Sequence, residues 1–502
     1  MILSLVFLPG HCPLPEPQSH VGVFFTSNGF PDPRQATSRL NCYEKNPYFF
    51  WNLNTNQNKQ KEALEQTVTA RQASVEALNH FEEFHKTDSR ILNKLEGQDR
   101  QQANEYVQGI LRRRSYLDFL ISRYSAVAVS EMNPQFKNIL RIGLYDLLFM
   151  DGTPDYAAVN EAVELAKTLG GSRSGDLMNA ILRRVQRDMP NLPRPDFEDR
   201  TKLVATTFSH PEWLVKRWIE RFGEREAFRL MQHNNQTPSY YLRVNGIKTN
   251  DRNFQLRLSK ADIDFEESDW LPGYYKVGSL QKVRTKGWLQ KGFAQVQDIA
   301  AGFAPTILDP QPGEDVYDLC AAPGTKTIML CDLMQNQGNI TAVDISSERI
   351  ALIAENVTNY GAEIVKVQRA DIISERFKLV DAVLLDAPCS GTGVLAKRAD
   401  LRWRRTEADL EEFTRQQDEL IDAAANMVKR GGRLVYSTCS IEPEENMERI
   451  QAFLKEYDNF ELENLEDYLP EEVLADDGKS YQTLPHVHKC DGHFGVLLKR
   501  KV

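Results

Sequence analysis

Asp386 and Cys389 stand just past one apolar run, in residues 383–395 (VLLDAPCSGTGVL), and Cys439 just past another, in residues 434–441 (LVYSTCSI). Runs that break into small residues, Pro or Gly read as buried parallel strands turning into loops at a sheet's C-terminal edge. Open α/β sheets bind ligands along that edge, near the point where strand order reverses. Both cysteines are therefore expected to face one cleft. A lone cysteine is more often a small buried hydrophobe, which is how Cys331 is read. Two thiols at one edge beside a carboxylate point instead to a soft nucleophile, governed by pKa and access.

A third run, residues 316–326 (VYDLCAAPGTK), supplies the other half of the cleft. Asp318 ends its strand, and Cys320, Ala321, Ala322, Pro323, Gly324, Thr325 and Lys326 turn tightly into a helix. Small residues there let the backbone approach a ligand closely. Gly324 is the one glycine among them, so the GxGxxG loop that cradles a pyrophosphate is missing and a nicotinamide-dependent dehydrogenase is disfavoured. Asp344 ends the second strand, where a carboxylate can take a ribose's paired hydroxyls; capping the helix after Ser346-Ser347 is an equally good use for it. Asp371 follows the third strand, placed for an adenine's exocyclic amine. A nucleoside without pyrophosphate fits this set, and S-adenosyl-L-methionine is the obvious member.

A methyl donor beside a thiol suits methylation at an unreactive ring carbon. The C5 of cytosine is a poor nucleophile until a thiolate adds at C6 and pushes electron density onto it. A carboxyl or carboxylate near N3 would stabilise the adduct. A second group must then help remove the C5 proton and release the first thiol. Asp386, Cys389 and Cys439 can fill those roles, and the residues alone do not say which cysteine attacks.

The elements that must position these residues follow from hydrophobic periodicity. From residue 294 to the C-terminus, strands near 316–319, 340–343, 364–367, 382–385 and 433–436 alternate with helices over 327–333, 347–360 and 407–429. That pattern predicts a doubly wound α/β, Rossmann-like catalytic domain over 294–502. Residues 61–188 read as an all-α bundle, with Phe136, Ile139, Leu140, Leu144, Leu147 and Leu148 on one stripe. Arg112-Arg113-Arg114 and Arg183-Arg184 within it read as solvated helix faces. Pro190, Pro193 and Pro195 mark a linker, and 189–293 is expected to hold that linker and a small α+β domain. Residues 1–60 show no period and read as a disordered or mis-started extension.

Composition excludes several classes. At 502 residues the chain should hold more than one core. A net charge of −10 argues against a general nucleic-acid coat, though not against local basic patches. Seven cysteines without CxxC or HxxxH spacing argue against a disulfide framework or zinc site. Reduced thiols, a cytoplasmic location and no metal are expected. No apolar run reaches the roughly 20 residues of a membrane helix, so no membrane partner is expected. Lys397, Arg398, Arg402, Trp403, Arg404 and Arg405 follow Cys389, and cations around an aromatic suit phosphate neutralisation and base stacking. These six are expected to contact RNA, with the target cytosine unstacked.

Residues 318–326, 386–393 and 436–440 resemble the signature motifs of the RNA cytosine-5 methyltransferase family, over a match running from about His210 to the C-terminus. The resemblance implies that Cys439 adds to C6, that Cys389 assists release of product, and that Asp386 contacts the base and the cofactor's methionine end. It implies too that residues 320–326, Asp344 and Asp371 hold S-adenosyl-L-methionine. The runs LYDLLFM (144–150), VNEAVELAK (159–167) and NAILRRV (179–185) resemble the NusB antitermination family, which is helical and binds ribosomal or leader RNA. The two together resemble the small-subunit rRNA branch of the methyltransferases. That implies a cytosine of 16S rRNA as target, in an unassembled or partly assembled subunit, with tRNA or another rRNA as the alternative. Three positions depart from the pattern. The second glycine of the cofactor loop is Thr325, a proline after the fourth strand is Ala399, and a C-terminal Gly-Phe-Phe is Gly492-His493-Phe494. The last two are expected to alter loop rigidity or RNA fit rather than chemistry.

Overall fold

The computed structural model describes residues 68–502; the extension expected over 1–60 lies outside them. Helices Ala70–Phe84, Gly97–Tyr124, Pro134–Phe149, Asp155–Gly170 and Ser172–Asp188 form the N-terminal bundle. Pro134 opens the third of these, and the Asn133 side chain accepts the backbone N–H groups of Gln135 and Phe136, as an N-cap should. The expected stripe is inside, but so are Lys137, Arg141 and Asp146, because this helix is central. Its charges survive burial by pairing. Asp118 accepts Arg141 Nε at 2.7 Å, and Asp146 accepts the Tyr106 hydroxyl at 2.7 Å. The proline-marked linker is itself packed, with Leu192 and Phe197 against the bundle core.

A small antiparallel sheet follows, made of β1 (Tyr240–Val244), β2 (Phe265–Glu267), β3 (Tyr274–Val277) and β4 (Ala294–Val296), in the order β2-β3-β1-β4. Because β4 pairs with β1, this sheet takes in the first residues of the segment expected to begin the catalytic domain. Helices Arg200–Phe208 and Glu212–Asn234 pack instead with Leu395, Leu401 and Ile441 of the cysteine loops.

The large sheet holds β5 (Asp315–Leu319), β6 (Asn339–Asp344), β7 (Val365–Arg369), β8 (Val380–Asp386), β9 (Val428–Thr438), β10 (Phe460–Leu462), β11 (Tyr481–Gln482) and β12 (Phe494–Arg500). Its order is β10-β12-β9-β8-β5-β6-β7, with β11 on β12. Neighbours from β5 to β9 run parallel and β12 runs antiparallel to β9. Alternate side chains feed two cores, Val316, Ala382, Leu384 and Val435 on one face, Tyr317, Leu319, Val383, Leu385, Leu434 and Tyr436 on the other. The helix expected over 407–429 ends at Ala425, because Val428 is already paired with Val380 in the sheet. The sequence pattern missed β12, whose insertion between β10 and β9 carries residues 490–493 to the C-terminal edge.

Candidate active site

The cofactor loop leaves β5 through Cys320, at φ 59°, and enters helix Thr325–Leu333 through Gly324, at φ 97°. Glycine is needed at 324 because that φ strains any side chain, although a Cβ there would meet Ile353 only at an ordinary 3.4 Å contact. Thr325 sits in the first helical turn without a left-handed φ, so threonine is tolerated where the pattern has glycine. Asp318 is fully buried. Its Oδ2 accepts the Thr327 hydroxyl at 2.5 Å and its Oδ1 has no partner, and burial pushes its pKa up to about 7. Asp344 is buried at the end of β6, where it accepts Ser346 N–H at 3.0 Å and pairs with Arg349 at 3.4 Å. Ser346, not Asp344, caps the following helix by accepting Arg349 N–H. Asp371 lies beyond β7, its carboxylate taking Ile373 N–H and the Ser374 hydroxyl.

The reacting half gathers at the ends of β8 and β9. Lys326 Nζ lies 2.7 Å from Asp386 Oδ2, and Ser437 Oγ donates to Asp386 Oδ1 at 2.8 Å. Burial pushes the Asp386 carboxyl up, but the adjacent Lys326 ammonium and these hydrogen bonds outweigh it and keep it ionised. Cys389 Sγ and Cys439 Sγ are 3.3 Å apart, both as free thiols. The hydrogen bond to Cys439, together with burial, raises the Cys389 pKa well above the usual thiol value. Cys389 therefore keeps its proton and can donate it toward the Cys439 sulfur.

One buried carboxylate that the sequence reading passed over fixes both cysteine loops. Glu445 accepts Ser390 N–H at 2.7 Å, the Ser390 hydroxyl at 2.5 Å and the Ser440 hydroxyl. Gly393 and Gly492 bring the loops into backbone contact, since a Cβ on Gly393 would meet Gly492 O at 2.1 Å and Cys439 O at 2.8 Å. The run EPEEN just after Cys439 was the available signal, but a Glu-rich turn reads as solvated until its partners are known.

The six residues expected to meet RNA are largely turned inward. Arg402 is 1% exposed and donates to the backbone oxygens of Arg112, Ser209 and Asn234 and to Asn235 Oδ1. Trp403 gives its indole N–H to Leu111 O at 2.7 Å and packs against the bundle core. Arg405 donates to Ser390 O at 3.1 Å and covers the Phe413 ring, and Arg404 pairs with Asp400. Arg398, also paired with Asp400, keeps about half its side chain, 53%, in solvent. Arg112–Arg114 are not solvated either: Arg112 donates to Ala396 O at 3.1 Å and Arg114 covers Trp403. These two basic runs are the two sides of one interface between bundle and catalytic domain. Ala399, fully buried, packs into the same bundle core.

Lys397 is likewise committed, with Nζ 2.5 Å from Asp298 Oδ2 and 3.0 Å from Asp491 Oδ2. Burial and the neighbouring Asp298 raise the Asp491 pKa, while Lys397 overcomes burial to lower that of Asp298. Lys397→Ala would leave two facing carboxylates without their cation. A loss of about 3–5 kcal/mol is expected, read as a lowered urea midpoint, and an unchanged midpoint would refute this account.

No helix among the described residues is long and apolar enough to cross a membrane, and no group of three or more His, Cys, Asp or Glu among them could hold a metal ion.

Three family models match the chain: 16S rRNA methyltransferase RsmB/F over residues 305–499, the NusB family over 68–187, and the ferredoxin-like domain of RsmF/B-like methyltransferases over 210–275. A Synechocystis protein named probable ribosomal RNA small subunit methyltransferase B is 34% identical over 409 residues, covering 80% of this chain and 91% of its own length. A Bacillus subtilis protein of the same name is 32% identical, covering 86% and 99%. The crystal structure of PH0851 superposes with a TM-score of 0.74 at 27% identity, covering 86% of this chain and 98% of that one.

Proposed function

The chain belongs to the 16S rRNA methyltransferase RsmB/F family, and from that premise we propose that it methylates C5 of a cytosine in 16S rRNA through a covalent bond between Cys439 and C6. The observation that carries this reading is the pair of thiols 3.3 Å apart beside the Lys326–Asp386 ion pair. S-adenosyl-L-methionine, the cofactor of this methyltransferase family, supplies an electrophilic methyl group. The close-approach loop Cys320–Gly324, Asp344 at the end of β6 and the open lone pairs of Asp318 Oδ1 suit its amino-acid and ribose groups.

The chain's own residues divide the remaining work. The Cys439 thiolate adds to C6, and the C5=C6 π electrons move onto C5 and N3. Lys326, charged at neutral pH, is the donor for that developing negative charge, and Asp386 holds it in place and meets the ring beside it. An ionised Asp386 cannot itself protonate N3, because Lys326 keeps it ionised. Once C5 is methylated, its proton passes to a water molecule, the C5–H electrons re-form the C5=C6 bond, and the C6–S bond breaks to release Cys439 as thiolate. The Cys389 S–H assists by donating a hydrogen bond to the departing sulfur. The cytosine must be unstacked for C5 and C6 to reach these groups. The bundle's likeness to the NusB family supports ribosomal over transfer RNA, and an unassembled or partly assembled subunit is the form that exposes such a base.

The test uses Cys389→Ala protein with S-adenosyl-L-methionine and transcribed 16S rRNA. A denaturant-stable protein–RNA adduct is expected, and bisulfite sequencing of wild-type product should show one modified cytosine. A mark on bulk tRNA but not on 16S rRNA would move the substrate. Trapping by Cys439→Ala and not by Cys389→Ala would reverse the two roles.

A further inference from the structure

Antiparallel pairing sets Thr438 opposite Phe494 and Ser437 opposite Gly495. His493 and Cys439 are the residues just outside the Thr438–Phe494 pair, His493 before β12 and Cys439 after β9. On the other side of β9, Asp386 pairs with Ser437. The ends of β8, β9 and β12 thus gather Asp386, Cys439 and His493 at one sheet edge, with the His493 ring near enough to feel the charges of Lys326 and Asp386. Gly492 holds the histidine there: its N–H donates to Gly393 O, and a Cβ on it would meet Ile441 at 2.6 Å and Gly393 Cα at 2.8 Å. The His493 backbone is pinned on both sides, its N–H donating to Thr483 Oγ1 at 2.8 Å and its C=O accepting Gln482 Nε2 at 3.0 Å.

The ring, by contrast, is poorly used by the protein. His493 is 4% exposed, and its Nδ1 is buried without a partner. A buried unpaired N–H is rarer than an under-used acceptor, so the proton belongs on Nε2. Burial and the nearby Lys326 push its pKa down to about 4, which keeps the imidazole neutral at physiological pH. A neutral ring with one N–H, fixed at the same sheet edge as the nucleophile, is a hydrogen-bond donor waiting for an acceptor. Addition of Cys439 at C6 creates one, because the negative charge on N3 is shared with the 2-oxo oxygen.

We propose that His493 is a further catalytic residue, donating Nε2–H to the 2-oxo edge of the target pyrimidine and stabilising the adduct together with Lys326. This rests on the cytosine-5 reading above. The effect belongs to the charged adduct more than to the bound substrate, so it falls on kcat. Loss of one such donor typically slows turnover by about 10²-fold.

The experiment compares wild type, His493→Phe, which keeps a flat ring without a donor, and His493→Gln, which restores an N–H. Each is assayed for methylation of 16S rRNA and for S-adenosyl-L-methionine binding by calorimetry. His493→Phe is expected to lose about 10²-fold in kcat with unchanged cofactor affinity, and His493→Gln to recover most of it. RNA carrying 2-thiocytosine at the mapped position should slow wild type and leave His493→Phe little affected. Full turnover by His493→Phe, or equal slowing of wild type and His493→Phe by the thio base, overturns the proposal. Should His493→Phe fold poorly, wild type and His493→Gln on the two RNAs decide it: a thio base that slows neither removes the contact. If wild type leaves no methyl mark at all, the cytosine-5 reading fails first, and the two failures are told apart.

Discussion

Cys439→Ala protein is expected to lose methyl transfer by about 10⁴-fold or more while its affinity for S-adenosyl-L-methionine stays within a factor of about two. Without a thiolate at C6, C5 of the cytosine has no electron density to give, so no partial pathway remains. Cys389 cannot substitute, since its burial still holds its proton on when the Cys439 sulfur is gone. The cofactor loop is untouched by the change, because Cys320–Gly324, Asp318 and Asp344 are carried by β5 and β6. Radiolabelled methyl incorporation and isothermal calorimetry on the same preparation check both halves. Activity above about 1% of wild type would mean that Cys439 is not the attacking group.

The second large effect is on stability and falls at Arg402. Its guanidinium satisfies three buried backbone oxygens, of residues 112, 209 and 234, and the half-buried Asn235 Oδ1, and no carboxylate accompanies it. Burial, and then Arg112 and Arg113, push its pKa well down, so the site tolerates this cation because of the oxygens it gathers. Arg402→Ala would leave those oxygens without a donor and open a space the size of the side chain. A loss of about 3–5 kcal/mol is expected. Arg402→Lys should recover little, because an ammonium cannot reproduce the planar fork. In thermal unfolding the bundle and the catalytic domain should then melt separately, and protease should cut near the linker at 189–199. A single transition at the wild-type temperature would show that the interface is held elsewhere.

The two predictions differ in how early their residues could be recognised. Asp386, Cys389 and Cys439 were legible because each strand of a parallel sheet advertises its own end: an apolar run stops, small residues begin, and the side chain just past the break lies at the ligand edge. The turn after β5 was legible for the same reason, down to Gly324 at the start of the helix. The asymmetry between the thiols was not. It depends on the 3.3 Å approach of two residues fifty positions apart and on the burial of Cys389, neither of which a motif encodes. Glu445 went unnoticed because nothing in EPEEN distinguishes a solvated turn from the carboxylate that ties both loops together.

That Arg402, Trp403 and Arg112 are occupied within the protein could not be read from the sequence, for a related reason. Charge is a property of sequence, but where a charge is used depends on what the fold brings against it. Arg402 and Arg112 lie 290 positions apart and share a buried seam, so periodicity within either segment could only suggest a wet face or an RNA contact. Local sequence determined the parallel strands β5 to β9, most of the helices between them and the chemistry available at the sheet edge, because hydrophobic periodicity and chain-breaking residues act over a few residues. By contrast, β12 took its place only through pairing across the chain. Tertiary structure alone decided which cysteine keeps its proton, which arginines are occupied and where His493 stands, because burial and partners across the chain set those properties.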